Sequence, residues 1–253
     1  MRGVVVSLDE HIEMLKRSKL PTVVTEGSDD YLFFRRIEES LSRFGVSLLP
    51  VGGRQMVIDL FERRKELGRN DIVFFADMDM WIYSGIPGNY VHRKLIFTDG
   101  YSIENDIYRD GDLERLLYED EKRQFEKELA SVVGWFSFCL AKFSQGDETK
   151  IAVHPNRILD SDGCVCGQFG QECGFTGPVE PFYANILQNY KKLLRGKTLI
   201  QLLIRHLSSS SRHVKHSRVQ LIEYATAQRG SLYSEVHGKI EKFFETELST
   251  VKA

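Results

Sequence analysis

Four short apolar runs in the first half of the chain are separated by segments whose apolar residues recur at helical spacing. Three of the runs, at 22–25, 72–76 and 95–97, are rich in β-branched or aromatic residues, which is typical of a parallel strand buried on both faces. We predict strands at residues 22–26, 46–51, 71–77 and 94–98. We expect helices at 8–19, from a cap at Ser28 or Asp29 to a stop at Gly45, at 55–67 closed by Gly68, and from 103 onward. This alternation predicts right-handed crossovers and a single parallel sheet.

The pattern changes near residue 112, after which helical periodicity dominates. Further helices are predicted near 181–194, 197–207, 217–227 and 231–247. Two stretches rich in Gly with Pro or Cys, at 80–93 and 160–178, are predicted to be loops. The predicted fold is therefore α/β: a Rossmann-like parallel sheet of about four strands with flanking helices over 1–110, then a mainly α-helical region over 111–253.

Composition places the chain among ordinary globular proteins. It has 253 residues, of which 42% are hydrophobic and 28% charged. No apolar run approaches the ~18–20 residues of a membrane span, and the N-terminal segment becomes acidic too soon for a signal peptide. We therefore expect a cytoplasmic protein without a membrane partner. The net charge of −2 gives no global attraction to nucleic acid, so such binding would need a local basic patch.

Acidic residues follow three of the predicted strands. Glu26 follows the first strand, Asp77 and Asp79 follow the third, and Glu104 lies shortly after the fourth. The carboxyl ends of parallel strands meet at one crevice, so these acids would converge. Two carboxylates about 5 Å apart repel by roughly 3 kcal/mol at an effective dielectric near 20, and a divalent cation would relieve that repulsion. The pattern predicts a Mg²⁺ site for phosphoryl transfer.

Simpler interpretations exist for each acidic motif. Glu26 could be part of an ordinary strand-to-helix turn, favourably placed near a helix N-terminus. The Asp77-x-Asp79 motif could be a polar turn with Asx hydrogen bonds. The two motifs together, in this order, are more specific than either alone.

Three motifs together resemble the TOPRIM domain of topoisomerases, primases and overcoming-lysogenization-defect (OLD) nucleases. The resemblance covers roughly residues 20–105. Its motifs are Thr25-Glu26-Gly27-x-Asp29-Asp30, Val51-Gly52-Gly53-Arg54 and Ala76-Asp77-Met78-Asp79. It implies that Glu26 is a metal ligand or general acid/base and that the two aspartates hold Mg²⁺ or Mn²⁺.

The resemblance also assigns a substrate-binding role to the segment that follows the second strand. Gly52 and Gly53 would let the backbone approach a phosphate beside Arg54, although a tight turn also explains the two glycines. Many TOPRIM enzymes carry a third acid two residues beyond the aspartate pair, where this chain has Trp81. A two-metal arrangement would therefore need Glu104 or Asp30 as the substitute.

Ser102-Ile103-Glu104-Asn105, together with Gly196-Lys197 and a helical tail, is similar to a TOPRIM branch linked to anti-phage defence, the effectors of the phage anti-restriction-induced system (PARIS). This resemblance implies a ribonuclease that cleaves host tRNA and stops translation. An AriA-like ABC/SMC-type ATPase would hold it and release it after sensing a phage anti-restriction protein. A homodimer would then present two cleavage centres to one folded RNA. The alternatives are a non-catalytic TOPRIM-like module that docks on an ATPase sensor, and an OLD-like nuclease that nicks DNA.

Basic residues are concentrated at 188–218, a stretch without Asp or Glu. Arg212, Lys215 and Arg218 could track an RNA backbone through its phosphates, or simply belong to a solvated loop. Lys197 follows Gly196 as in a P-loop, but Lys191 occupies the place of the required first glycine, so nucleotide binding is rejected. Lys197 could still stabilise the transition state as a point charge, or be an exposed lysine at a helix N-terminus.

Three of the four cysteines form a C-x-C-x6-C cluster of Cys164, Cys166 and Cys173, with His154 upstream. A structural zinc ion there is the less favoured interpretation, because the cluster lacks paired C-x2-C motifs. We expect reduced thiols in a surface loop.

Overall fold

The computed structural model describes residues 6–27 and 31–249. Two compact units divide the chain. Residues up to Asp99, together with residues from Arg229 onward, form one unit, which we call the sheet unit. Gly100–Gln228 form the other, the helical unit. The predicted helical region, 111–253, includes the last helix of the chain. In the structure, this helix belongs to the sheet unit.

The sheet has four parallel strands, which confirms the predicted α/β class and the predicted strand positions. Its strands are β1 (Thr22–Thr25), β2 (Ser47–Pro50), β3 (Ile72–Ala76) and β4 (Leu95–Phe97), in the order β2-β1-β3-β4. Every residue of β1 and β3 is buried, as expected for central strands covered on both faces. Because β1 and β3 are neighbours, their carboxyl ends lie side by side.

The first four helices belong to the sheet unit. They are α1 (Leu8–Arg17), α2 (Tyr31–Ser40), α3 (Arg54–Glu62) and α4 (Trp81–Ser84). α1 and α3 pack on the face that carries Val24 and Phe74, whereas Phe34 of α2 contacts Phe75, whose side chain points to the opposite face (ring centroids 4.8 Å apart). The predicted cap of α2 at Ser28 or Asp29 lies outside the described residues.

Two predictions about the first half needed correction. The helix predicted to run to residue 67 ends at Glu62 and continues as a 3-10 turn, Arg64–Leu67, before Gly68 adopts a left-handed conformation with φ 65°. The stretch 80–93 is not a simple loop, because it contains α4 and a 3-10 turn at Gly88–Tyr90. Contacts of the Trp81 ring with Tyr90 and Phe97 hold this segment against the sheet.

The helical unit contains eight helices within the described residues. They are α5 (Ile103–Asp110), α6 (Glu119–Ser144), α7 (Pro155–Ile158), α8 (Gly167–Cys173), α9 (Phe182–Gln188), α10 (Tyr190–Leu193), α11 (Gly196–Leu207) and α12 (Arg218–Ala227). The predicted helical character of this region is confirmed. The prediction of a loop over 160–178 was wrong where α8 forms. No described helix is both long and apolar enough to span a bilayer.

The last helix, α13 (Ser231–Ser249), completes the sheet unit. Tyr233 packs edge-on against Phe33 at 5.2 Å between ring centroids. Arg43 forms ion pairs with Glu241 and Glu245 at 2.8 and 2.9 Å. The unit that holds Glu26, Asp77 and Asp79 is therefore assembled from two separate stretches of the chain.

Candidate active site

Glu26 lies directly after β1 and turns its side chain towards the end of β3. Its Oε1 accepts a hydrogen bond of 2.7 Å from the backbone N–H of Asp77. The first predicted acid and the aspartate pair therefore share one edge of the sheet. We call Glu26, Asp77 and Asp79 the acidic rim.

The turn after β3 sets the position of the two aspartates. The Met78 N–H donates to Thr98 Oγ1 at 3.0 Å, which ties the turn to the residue after β4. Asp79 has a left-handed backbone with φ 45°, a conformation that Asp tolerates better than most side chains. The Trp81 N–H then donates to the Met78 carbonyl, and α4 begins. Because the Asp79 side chain is 39% exposed, it is accessible to a ligand.

Gly52 and Gly53 form the neighbouring part of the same edge. The Gly52 N–H donates to the Glu26 carbonyl at 2.8 Å. Both glycines have positive φ angles, 94° and 140°, and a Cβ at either position would meet no described atom within 4 Å. The backbone conformation requires glycine here, and no described atom fills the space beside it. Phosphate binding at this ledge stays a prediction.

Arg54 begins α3 and reaches across to the aspartates. Its Nε donates to the Asp77 carbonyl at 2.9 Å and lies 3.7 Å from Asp79 Oδ2. The guanidinium stacks on Trp81, 4.0 Å from the ring centroid. Sequence reasoning treated Trp81 only as a missing acid and did not foresee this stacking. An arginine after the glycine pair and an aromatic residue after the aspartates were the available signal.

The acidic rim offers oxygen ligands of the kind that Mg²⁺ prefers. Mg²⁺ is commonly held by one or two carboxylates together with water and substrate phosphates, and the aspartate pair supplies carboxylates of that kind. In the part of the chain that the structure describes, no group of three or more His, Cys, Asp or Glu residues is arranged to enclose a metal ion. Asp30, a predicted substitute ligand, lies outside the described residues.

Glu104, the other predicted ligand, belongs to the helical unit and is buried, with 1% of its surface exposed. Its Oε1 accepts a hydrogen bond from Arg218 Nη2 at 2.9 Å, and its Oε2 accepts one from Ser102 Oγ at 2.6 Å. A predicted metal ligand and a predicted substrate contact therefore pair with each other. Either role would require this ion pair to open.

The basic stretch at 188–218 is less positive than its sequence suggests. Arg212 is buried, and its guanidinium binds both oxygens of Glu121, each at 2.6 Å. Ion pairs to acids elsewhere in the helical unit also involve Lys191 with Glu114, Arg205 with Glu128, and Arg218 with Glu104. Lys215 is exposed, and Lys197 is half-buried in the first turn of α11. Contacts of these residues with a substrate stay predictions.

The cysteine cluster lies on and beside α8. Cys164 is exposed, Cys166 and Cys173 are half-buried, and all three are free thiols. His154 Nδ1 accepts a hydrogen bond from the Asn156 N–H and so caps α7. Cys139 is buried, and this burial raises the pKa of its thiol to about 12. The geometry therefore gives His154 a capping role and Cys139 a packing role.

Comparisons of the sequence with models of protein families and with curated proteins found no match. The fold and the site therefore define the class: an α/β protein with a four-stranded parallel sheet and an acidic rim at the carboxyl ends of its two central strands. Membership of the TOPRIM family is a proposal that rests on motifs and on this geometry.

Proposed function

We propose that this chain is a metal-dependent nuclease of the TOPRIM type. The observation that carries the proposal is the 2.7 Å hydrogen bond between the Asp77 N–H and Glu26 Oε1. It brings acids from two strands that are far apart in sequence to a single edge of the sheet. Side chains at that edge of an open α/β sheet are placed to act on a ligand in the crevice.

The residues of the acidic rim have two roles in this proposal. Asp77 and Asp79 would hold Mg²⁺ or Mn²⁺, which when bound would polarise the scissile phosphate. The Asp77 amide fixes one oxygen of Glu26, so Glu26 can use its carboxylate to orient the attacking group or to accept its proton. The Gly52–Gly53 ledge would leave room for the phosphate.

The same proposal extends to the biological role. The motif resemblance favours a chain like AriB, the effector of PARIS, which would cleave tRNA after release from an AriA-like ATPase. One contact within the helical unit supports this resemblance, because it joins the two motifs on which the resemblance to PARIS effectors depends. A Cβ on Gly196 would lie 2.3 Å from Ser102 Oγ, so the Gly196-Lys197 and Ser102–Asn105 segments pack directly together.

Cleavage of tRNA by the purified full-length chain tests the proposal. We expect cleavage with Mg²⁺ or Mn²⁺ and none with EDTA. Glu26→Gln should reduce the rate by roughly 10²–10⁴-fold, the usual contribution of a general acid or base. Glu13→Gln is the matched control, since Glu13 is 54% exposed on α1. Unchanged cleavage in Glu26→Gln, with an unchanged melting temperature, would contradict the role of Glu26.

The same assay separates the alternatives. Nicking of supercoiled DNA without cleavage of tRNA would favour an OLD-like nuclease. Stable association with the ATPase, with no cleavage of either substrate in Mg²⁺ or Mn²⁺, would favour a non-catalytic docking module. Sequencing of RNA ends after expression, with and without the ATPase, would identify the RNA that is cut.

A further inference from the structure

We infer that Arg54 is a phosphate-binding residue positioned by Trp81, and that its charge serves where a second divalent cation would otherwise act. The inference rests on the proposed nuclease function. It concerns the substrate contact and the metal stoichiometry of the acidic rim, and both can be measured separately from cleavage.

The guanidinium of Arg54 is held from two directions. On its edge, Nε donates to the Asp77 carbonyl at 2.9 Å and lies 3.7 Å from Asp79 Oδ2. On its face, the Trp81 ring lies 4.0 Å away. A cation above an indole ring is attracted by the negative face of the π system. Arg54 therefore has one orientation, beside the aspartate pair.

Trp81 is itself fixed, so it can serve as a rigid platform. Its ring centroid lies 5.5 Å from that of Phe97 at the end of β4 and 4.9 Å from that of Tyr90. The backbone of Trp81 is anchored by its hydrogen bond to the Met78 carbonyl. The aromatic contacts and the turn thus position Arg54 through Trp81.

Arg54 has hydrogen-bonding capacity left over for an anion. Within the described chain, its Nη2 has no hydrogen-bond partner and is shielded from solvent, so an anion would reach it only after neighbouring groups shift; the side chain as a whole is 19% exposed. Leaving a buried donor unpaired is unfavourable, and the acceptor that removes this cost for a guanidinium is characteristically a carboxylate or a phosphate. Gly52 and Gly53 immediately precede Arg54, and the described residues leave room for that phosphate beside them.

A positive charge so close to Asp79 also affects how many cations the rim can hold. An acid at position 81 would have added a ligand, but Trp81 instead brings a guanidinium to within 3.7 Å of Asp79 Oδ2. A second divalent cation bound to Asp79 would lie close to this guanidinium, and two positive charges only a few ångströms apart repel each other. The rim should therefore bind a single divalent cation per chain.

Calorimetric titration of the full-length chain with Mn²⁺ tests the stoichiometry. We expect one ion per chain in the parent protein and also in Arg54→Lys, which keeps the charge. Two ions of similar affinity in the parent protein would overturn the inference while leaving the proposed nuclease function intact.

Binding of labelled tRNA in Mg²⁺, measured in a Glu26→Gln background that slows cleavage, tests the phosphate contact. Arg54→Ala should weaken binding by about 10–100-fold, and Arg54→Lys by a smaller factor, because lysine lacks the planar fork. Arg64→Ala is the matched control: Arg64 also stacks on an aromatic ring, Phe61, at 4.1 Å, but it contacts no residue of the rim. It should change binding less than twofold.

A double variant separates positioning from mere packing. Trp81→Leu should weaken tRNA binding, whereas Trp81→Phe should retain most of the binding of the parent protein. In an Arg54→Ala background, Trp81→Leu should cause no further loss of binding. Equal effects of Trp81→Leu with and without Arg54 would overturn the positioning role. Unchanged binding in Arg54→Ala, with the parent protein binding and cutting tRNA, would overturn the phosphate contact alone. A parent protein that neither binds nor cuts tRNA would overturn the proposed function as well.

Discussion

Arg212 shows how the partner of a charged side chain decides its role. In the sequence it belongs to a basic stretch that suggests contact with nucleic acid. In the structure only 4% of its side chain is exposed, and it pairs with Glu121 through two hydrogen bonds while its guanidinium lies 4.4 Å from the centroid of the Tyr118 ring. Contact with a phosphate would require this pair to break.

We expect Arg212→Met to destabilise the protein by roughly 3–5 kcal/mol, since removal of one partner leaves a largely buried charge unpaired. Lys215→Met is the matched control from the same connection. Lys215 is exposed, so its replacement should change the free energy of unfolding by no more than about 0.5 kcal/mol. Urea unfolding followed by circular dichroism would measure both.

This pair also predicts a pH dependence. Hydrogen bonds from Arg212 lower the pKa of Glu121 from its ordinary value of 4.5. Because the folded-state pKa is the lower one, the pair stabilises the fold above about pH 4.5, and this stabilisation is lost as the pH falls through the folded-state pKa. The parent protein should therefore lose more stability between about pH 5 and pH 3 than Arg212→Met. If the free energy of unfolding fell equally with pH in the parent protein and in Arg212→Met, the contribution of the Arg212–Glu121 pair would be contradicted.

At the scale of secondary structure, the sequence predicted what depends on local pattern. Continuous apolar runs located β1, β3 and β4, the mixed segment at 46–51 located the partly exposed β2, and left-handed glycines at Gly45 and Gly68 marked where helical segments stop. It did not predict α4 or α8. Each is a short helix within a Gly-containing stretch, where contacts such as those of Trp81 outweigh local propensity.

The candidate site was predictable only in part, because some of its contacts depend on tertiary structure and not on local sequence pattern. Glu26 and the aspartates follow strands, so parallel topology alone brings them to one edge. The pairing of Glu104 with Arg218 and the stacking of Arg54 on Trp81 depend on side chains from distant segments, and residue spacing carries no information about them.

The packing of α11 on α5 gives a prediction at this scale. A Cβ on Gly196 would lie 2.3 Å from Ser102 Oγ and 2.6 Å from Asn105 Oδ1. We expect Gly196→Ala to lower stability by about 1–3 kcal/mol through overpacking, despite the better helix propensity of alanine. The matched control is Gly167→Ala at the start of α8, where a Cβ would meet no described atom within 4 Å. Equal melting temperatures for the two variants would contradict the close approach.

At the scale of the molecule, the sheet unit is discontinuous in sequence. Its last helix, α13, returns after the whole helical unit and covers part of the sheet unit with residues such as Phe244, which is fully buried. Ion pairs of Arg43 with Glu241 and of Arg93 with Glu247 join the two stretches. Stability of the unit that holds the acidic rim therefore depends on residues far along the chain.

We expect Phe244→Ala to cost roughly 3–5 kcal/mol, as large-to-small changes in a core do. In hydrogen exchange, protection should fall mainly for amides of β1–β4 and their helices. Tyr224→Ala on α12 is the control, because that side chain is 48% exposed. A loss of protection confined to Gly100–Gln228 would contradict the placement of α13 in the sheet unit.

The split composition of the sheet unit has a consequence during synthesis on the ribosome. The strands emerge first, but α13 emerges only after the helical unit has been translated, which takes on the order of 10 s at typical elongation rates. Throughout that interval the nascent chain presents an uncovered apolar face, the kind of surface that recruits chaperones. The acidic rim consequently reaches its final framework only after the helical unit has left the exit tunnel.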